Sequence, residues 1–156
     1  MQTNAMTPRW LTIIVIAHLI VTLAHGAVHA AASIPMTVAA NLFIWTVILI
    51  GPLVGLWWSR SRPAAGAWVV AAAMAGSLMF GILNHFVIIS ADHVSHVAAQ
   101  WRTMFGLTAA LLVVSELAGV AVGVTSARRA VRGSSESFAD RASRFDSPAT
   151  RRSLRS

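Results

Sequence analysis

The chain alternates between long apolar blocks and short polar breaks. Four blocks stand out, at about 10–32, 37–58, 64–90 and 103–125. Each reaches the roughly 20 residues that a helix needs to cross the hydrocarbon of a bilayer. Between Arg9 and Arg128 the only charged side chains are Arg60, Arg62, Asp92, Arg102 and Glu116. This pattern predicts an all-α integral membrane protein. A four-helix transmembrane bundle spans 10–126, between a short N-terminus, 1–9, and a polar tail, 127–156.

Composition strengthens that reading. The 156 residues are 56% hydrophobic and 11% charged, against about 25% charged in a typical soluble domain. There is no cysteine, so disulfides, thiolate metal sites and thiol redox chemistry are excluded. No P-loop, nucleotide-binding glycine pattern or nucleophile motif is present.

Charge orients the bundle. Short flanks rich in arginine stay in the cytoplasm. Arg9 precedes the first block, Arg60 and Arg62 separate the second from the third, and Arg128, Arg129 and Arg132 follow the fourth. Both termini are therefore expected inside, in a multi-pass protein of the cell membrane, of the bacterial plasma-membrane kind. Residues 1–30 also admit reading as a cleaved signal peptide, with cleavage after Ala30. The tail carries eight arginines against Glu136, Asp140 and Asp146. Following a membrane helix, it suits anionic lipid headgroups better than nucleic acid. From about Arg132 its Ser/Arg composition predicts disorder. A homo-oligomer or a larger membrane complex fits a bundle of this size.

Within this apolar chain the six histidines are the unusual residues, because ionisable groups in hydrocarbon are costly. His18, His25 and His29 are spaced i, i+7, i+11, which places them within about 40° on one helix face. His85, Asp92 and His96 repeat that spacing. Counted from the arginine flanks, His25, His29 and His85 reach the outer boundary, and Asp92, His93 and His96 follow on an extension of the third helix or in the outer loop. His25 with His29 (i, i+4), or His93 with His96 (i, i+3), can bind one ion from a single helix face. Asp92 can ligate or orient an imidazole. The expected cofactor site is His25, His29, His85 and His96, with Asp92 and His93 as further metal ligands. Such a donor set suits iron, copper or zinc, or haem with two axial histidines. In helix number and ligand type the chain resembles four-helix membrane b-type cytochromes, with no motif matching residue by residue. Electron transfer or a metal-dependent oxidation would follow, although no catalytic residue or substrate is named by the sequence.

Two other readings come from the same residues. The histidines can serve as interhelical hydrogen-bonding groups of a cofactor-free assembly subunit, with His93 and His96 in a solvated loop. His18 and Glu116, both deep in the membrane, can also pair in a proton-linked carrier.

Overall fold

The computed structural model describes residues 9–145, and side-chain surroundings as far as residue 138. Among these residues the chain is all helical. Four helices are long and apolar enough to cross a membrane. They are α1 (Arg9–Ala31), α2 (Val38–Trp58), α3 (Pro63–Val87) and α4, which runs over Ala99–Phe145.

Local chemistry sets the boundaries. Ser33 takes a left-handed φ of 52° and stops α1. Thr37 caps α2, its hydroxyl accepting from the Ala40 amide at 3.1 Å. Pro63 opens α3, where a missing amide costs nothing. Two stretches widen to π-helical turns, Ile44–Ile50 in α2 and Leu83–Val87 at the end of α3. Wide turns of this kind concentrate at functional sites.

His18 is tied to the backbone of α2: its Nε2 lies 3.3 Å from the Ile48 carbonyl, in the widened stretch before Pro52. A carbonyl acceptor makes that nitrogen the donor.

α3 is the central packing helix. Gly55 of α2 lies against Val70 and Gly66 of α3, and a side chain at Gly66 would strike the Ser59 backbone. On the other side, Gly119 and Gly123 of α4 receive Met74 and Ala71. The small-residue run Ala71–Ser77 thus serves close helix approach, where small side chains let backbones pack in contact. Leu11, Val15, Ala67, Val70, Met74 and Ala127 form a core at the end of the bundle that holds Arg9 and Arg128. A second core at the other end joins Val28, Val97 and Phe105.

Two expectations are corrected. The third helix stops at Val87 rather than 90, and of the two placements expected for Asp92, His93 and His96 the loop is the one observed. The segment from Arg132 is helical as far as Phe145, not disordered. Extending an existing helix avoids the nucleation cost, so a polar composition does not end it. Residues 146–156 of the tail lie outside the described residues.

Candidate metal centre

Three elements bring three imidazoles together. His25 and His29 project from one face of α1, and His85 comes from the widened last turn of α3. The bond from the Ile88 amide to the Leu83 carbonyl, 2.7 Å, closes that turn. The chain then doubles back. The Val94 amide donates to the His85 carbonyl at 3.0 Å, which returns Asp92 to the cluster. Arg102 pins the loop from below, its guanidinium donating to the carbonyls of Val97 and Ser95. All three histidines are buried.

One nitrogen from each of His25, His29 and His85 falls within 4.8 Å of the other two. Phe105 of α4, fully buried, packs against all three rings at centroid distances of 5.0 to 5.1 Å. His25 and His29 meet edge-on at 4.7 Å, and His25 and His85 at 4.9 Å. These three buried histidines lie close enough to hold a metal ion.

The hydrogen bonds fix which nitrogen is free. Thr108 spends its single hydroxyl proton on the Met104 carbonyl at 2.8 Å, or on that of Phe105 at 3.1 Å. When that proton goes to a carbonyl, Thr108 accepts from His25 Nδ1, 2.8 Å away, and the His25 lone pair is left on Nε2. His85 Nδ1 faces two oxygens of Asp92, the carbonyl and Oδ1, each at 3.3 Å. Both are acceptors, so the His85 lone pair is also on Nε2.

The two Nε2 atoms lie 3.3 Å apart. One ring can donate to the other across that gap; where both Nε2 atoms carry lone pairs, they repel unless a cation lies between them. Two nitrogens each about 2.05 Å from one ion subtend an angle of about 107° at that spacing, close to tetrahedral.

His29 completes the group. Its Nε2 is 3.2 Å from Asp92 Oδ1, and its Nδ1 is buried without a hydrogen-bond partner among the described residues. Asp92 Oδ1 thus lies near two imidazoles, although neither contact has hydrogen-bond geometry. The carboxylate is placed to balance charge, to orient the rings, or to close a fourth position.

The other sequence candidates separate from this group. His96 is exposed, and its Nδ1 bonds the Ser90 carbonyl at 2.7 Å. His93 bonds the Ser95 hydroxyl at 2.7 Å and neighbours His96, ring to ring, at 6.1 Å. Neither joins the trio, and the expected fourth ligand His96 is not in it. His18 and Glu116 do not pair either: His18 serves Ile48, and Glu116 Oε1 accepts from the Ser77 hydroxyl. Thr108 and Phe105 were invisible as site residues in the sequence. A threonine and a phenylalanine in an apolar helix carry no spacing signal.

Beside the trio lies a cavity of about 660 Å³. Its walls include His25, His29, His85 and Asp92 at one end, and Ser77 and Glu116 further in. Fold and site together define a membrane-type helical bundle with a buried three-histidine centre. No family model, curated protein or solved structure matches the chain.

If the trio holds an ion, its outer contacts tune affinity. Thr108→Val removes the acceptor that sets the His25 proton, and Asp92→Asn removes the carboxylate beside His29 and His85. Each is expected to weaken metal binding by roughly 10–100-fold, as losses of such outer partners do. Competition with a calibrated chelator measures it. Equal affinity in both variants and the parent would disprove the assigned roles.

Proposed function

We propose that the protein is a polytopic membrane protein that binds a single transition-metal ion through His25, His29 and His85. The observation that carries this is the burial of three imidazoles with one nitrogen of each within 4.8 Å of the other two, and 3.3 Å between His25 Nε2 and His85 Nε2. Asp92 supports the centre with negative charge, which lowers the cost of a cation in an apolar surround. All-nitrogen ligation suits zinc, copper or iron. Three protein donors leave a position that faces the cavity, the arrangement of catalytic rather than closed structural ions. Electron transfer or a metal-dependent oxidation belongs to this reading when the ion is copper or iron.

The same distances favour a bare ion over haem. Axial nitrogens across a haem iron stand about 4 Å apart with the macrocycle between them. His25 and His85 are closer than that, and Phe105 fills the space beside them. Titration of chelator-stripped protein with zinc, copper and ferrous ions tests the reading. Saturation near one ion per chain supports it, and no uptake of any of the three refutes it.

The arginine pattern supports cytoplasmic termini and a metal centre near the outer face. Arg128, Arg129 and Arg132 are exposed on α4 where it leaves the bundle, suited to anionic headgroups of the inner leaflet. The absence of cysteine makes topology directly measurable. A single cysteine at Ser95 is expected to react with an impermeant maleimide on intact cells, and one at Ser61 only after lysis. The reverse pattern would invert the orientation.

A further inference from the structure

We propose that the cavity is a binding chamber for a neutral, lipid-soluble molecule that carries a hydroxyl group, held by Glu116. This goes beyond metal binding and does not depend on it.

The chamber has the size of pockets that hold drug-sized ligands. Its walls are mostly apolar, including Ile44, Ile48, Phe80 and Leu112. An apolar body is therefore the matching occupant. The exception is the deep end. Glu116 is 2% exposed, and its Oε1 is engaged by Ser77. Its Oε2 is buried without a hydrogen-bond partner among the described residues, and Glu116 lines the chamber. An unpaired carboxyl oxygen in a bilayer is costly, so a polar group is needed there. A hydroxyl both donates and accepts, so it satisfies Oε2 whether the carboxyl is ionised or protonated.

The entry path fits a ligand dissolved in lipid. α1 packs chiefly on α4, and its contact with α2 is slight. Leu23 of α1 and Trp45 of α2 line the chamber while 65% and 61% exposed. The opening thus lies between these two helices, facing the acyl chains. A molecule entering there places its hydroxyl on Glu116 and lies alongside the histidine trio. Gly26 and Gly81 thin the walls, and a Cβ at Gly26 would meet nothing within 4 Å.

The test uses 2-bromo-4-hexylphenol and its methyl ether, added to chelator-treated full-length protein in detergent. Bromine quenches tryptophan fluorescence, and Trp45 sits on the chamber wall. Saturable quenching is expected, with the phenol binding roughly tenfold better than the ether, the scale of one lost buried hydrogen bond. Glu116→Leu should bring the two probes to equal affinity. Gly26→Leu should remove the saturable quenching by both probes, with thermal unfolding unchanged to show an intact fold. Absence of saturable quenching in the parent protein would overturn the proposal. So would equal affinity of the two probes for the parent, the mark of a space that acyl chains fill. A phenol preference that survives Glu116→Leu would overturn it as well. Because the metal is removed beforehand, failure here is distinct from failure of the metal centre.

Discussion

Replacing His25 with alanine is expected to lower metal affinity by roughly a hundredfold or more. Structural zinc sites of four ligands bind with about 10–16 kcal/mol, which is about 2.5–4 kcal/mol per ligand. His25 is the ring nearest to both of the others, at 4.7 and 4.9 Å between centroids against 5.6 Å between His29 and His85. Its loss removes one donor and also the hydrogen bond between His25 Nδ1 and the Thr108 hydroxyl that orients the ring. The effect on stability separates this account from a packing role. An ion that binds only the folded protein raises its melting temperature as its concentration rises. That shift is expected in the parent protein and should vanish in His25→Ala. If the histidines only pack, the ion shifts neither protein, and the substitution costs the same with or without it.

Gly66→Ala is expected to be the most damaging small substitution in the bundle. A Cβ there would lie 2.2 Å from the Ser59 amide nitrogen and 2.4 Å from its Cα. Both are backbone atoms, held in the tight turn between α2 and α3 by the Ser59 amide bond to Gly55 and the Ser59 hydroxyl bond to Leu56. No side-chain rotation relieves the clash, so the two helices must part. Overpacking of well-ordered sites typically costs about 1–3 kcal/mol, and rigid backbone on both sides puts this one at the upper end or beyond. Gly133→Ala is the matched control. Nothing lies within 4 Å of its Cβ position, on an exposed stretch of α4. It is expected to stabilise slightly, by up to about 1 kcal/mol from helix propensity. Thermal unfolding in detergent compares the two. Similar melting temperatures would show that the α2–α3 contact is looser than described.

The helices were legible because length and hydropathy set which segments can cross a bilayer. The first three blocks differ from the observed helices by at most three residues at either end, while the fourth helix starts four residues before its block and runs twenty beyond it. Depth counted from the arginines brought His25, His29 and His85 to one level without knowledge of packing. What depth could not supply was the path of the chain after Val87. The helical spacing of His85, Asp92 and His96 suggested a continuing face, but the loop turns back and carries Asp92 inward while His96 faces out. Loop conformation depends on tertiary contacts such as those of Arg102, which no periodicity encodes. The pairing of His18 with Glu116 failed for a similar reason. The Ile48 carbonyl lies beside His18 and the Ser77 hydroxyl beside Glu116, so each has a nearer partner.

The central claim rests on one ion shared by His25, His29 and His85. The most direct measurement is the metal content of protein purified in mild detergent, by elemental analysis, alongside a His25→Ala, His85→Ala variant. The account predicts about one zinc, copper or iron per parent chain and none in the variant, with both proteins folded. A parent protein that is metal-free as purified, and still metal-free after dialysis against each ion, would contradict it.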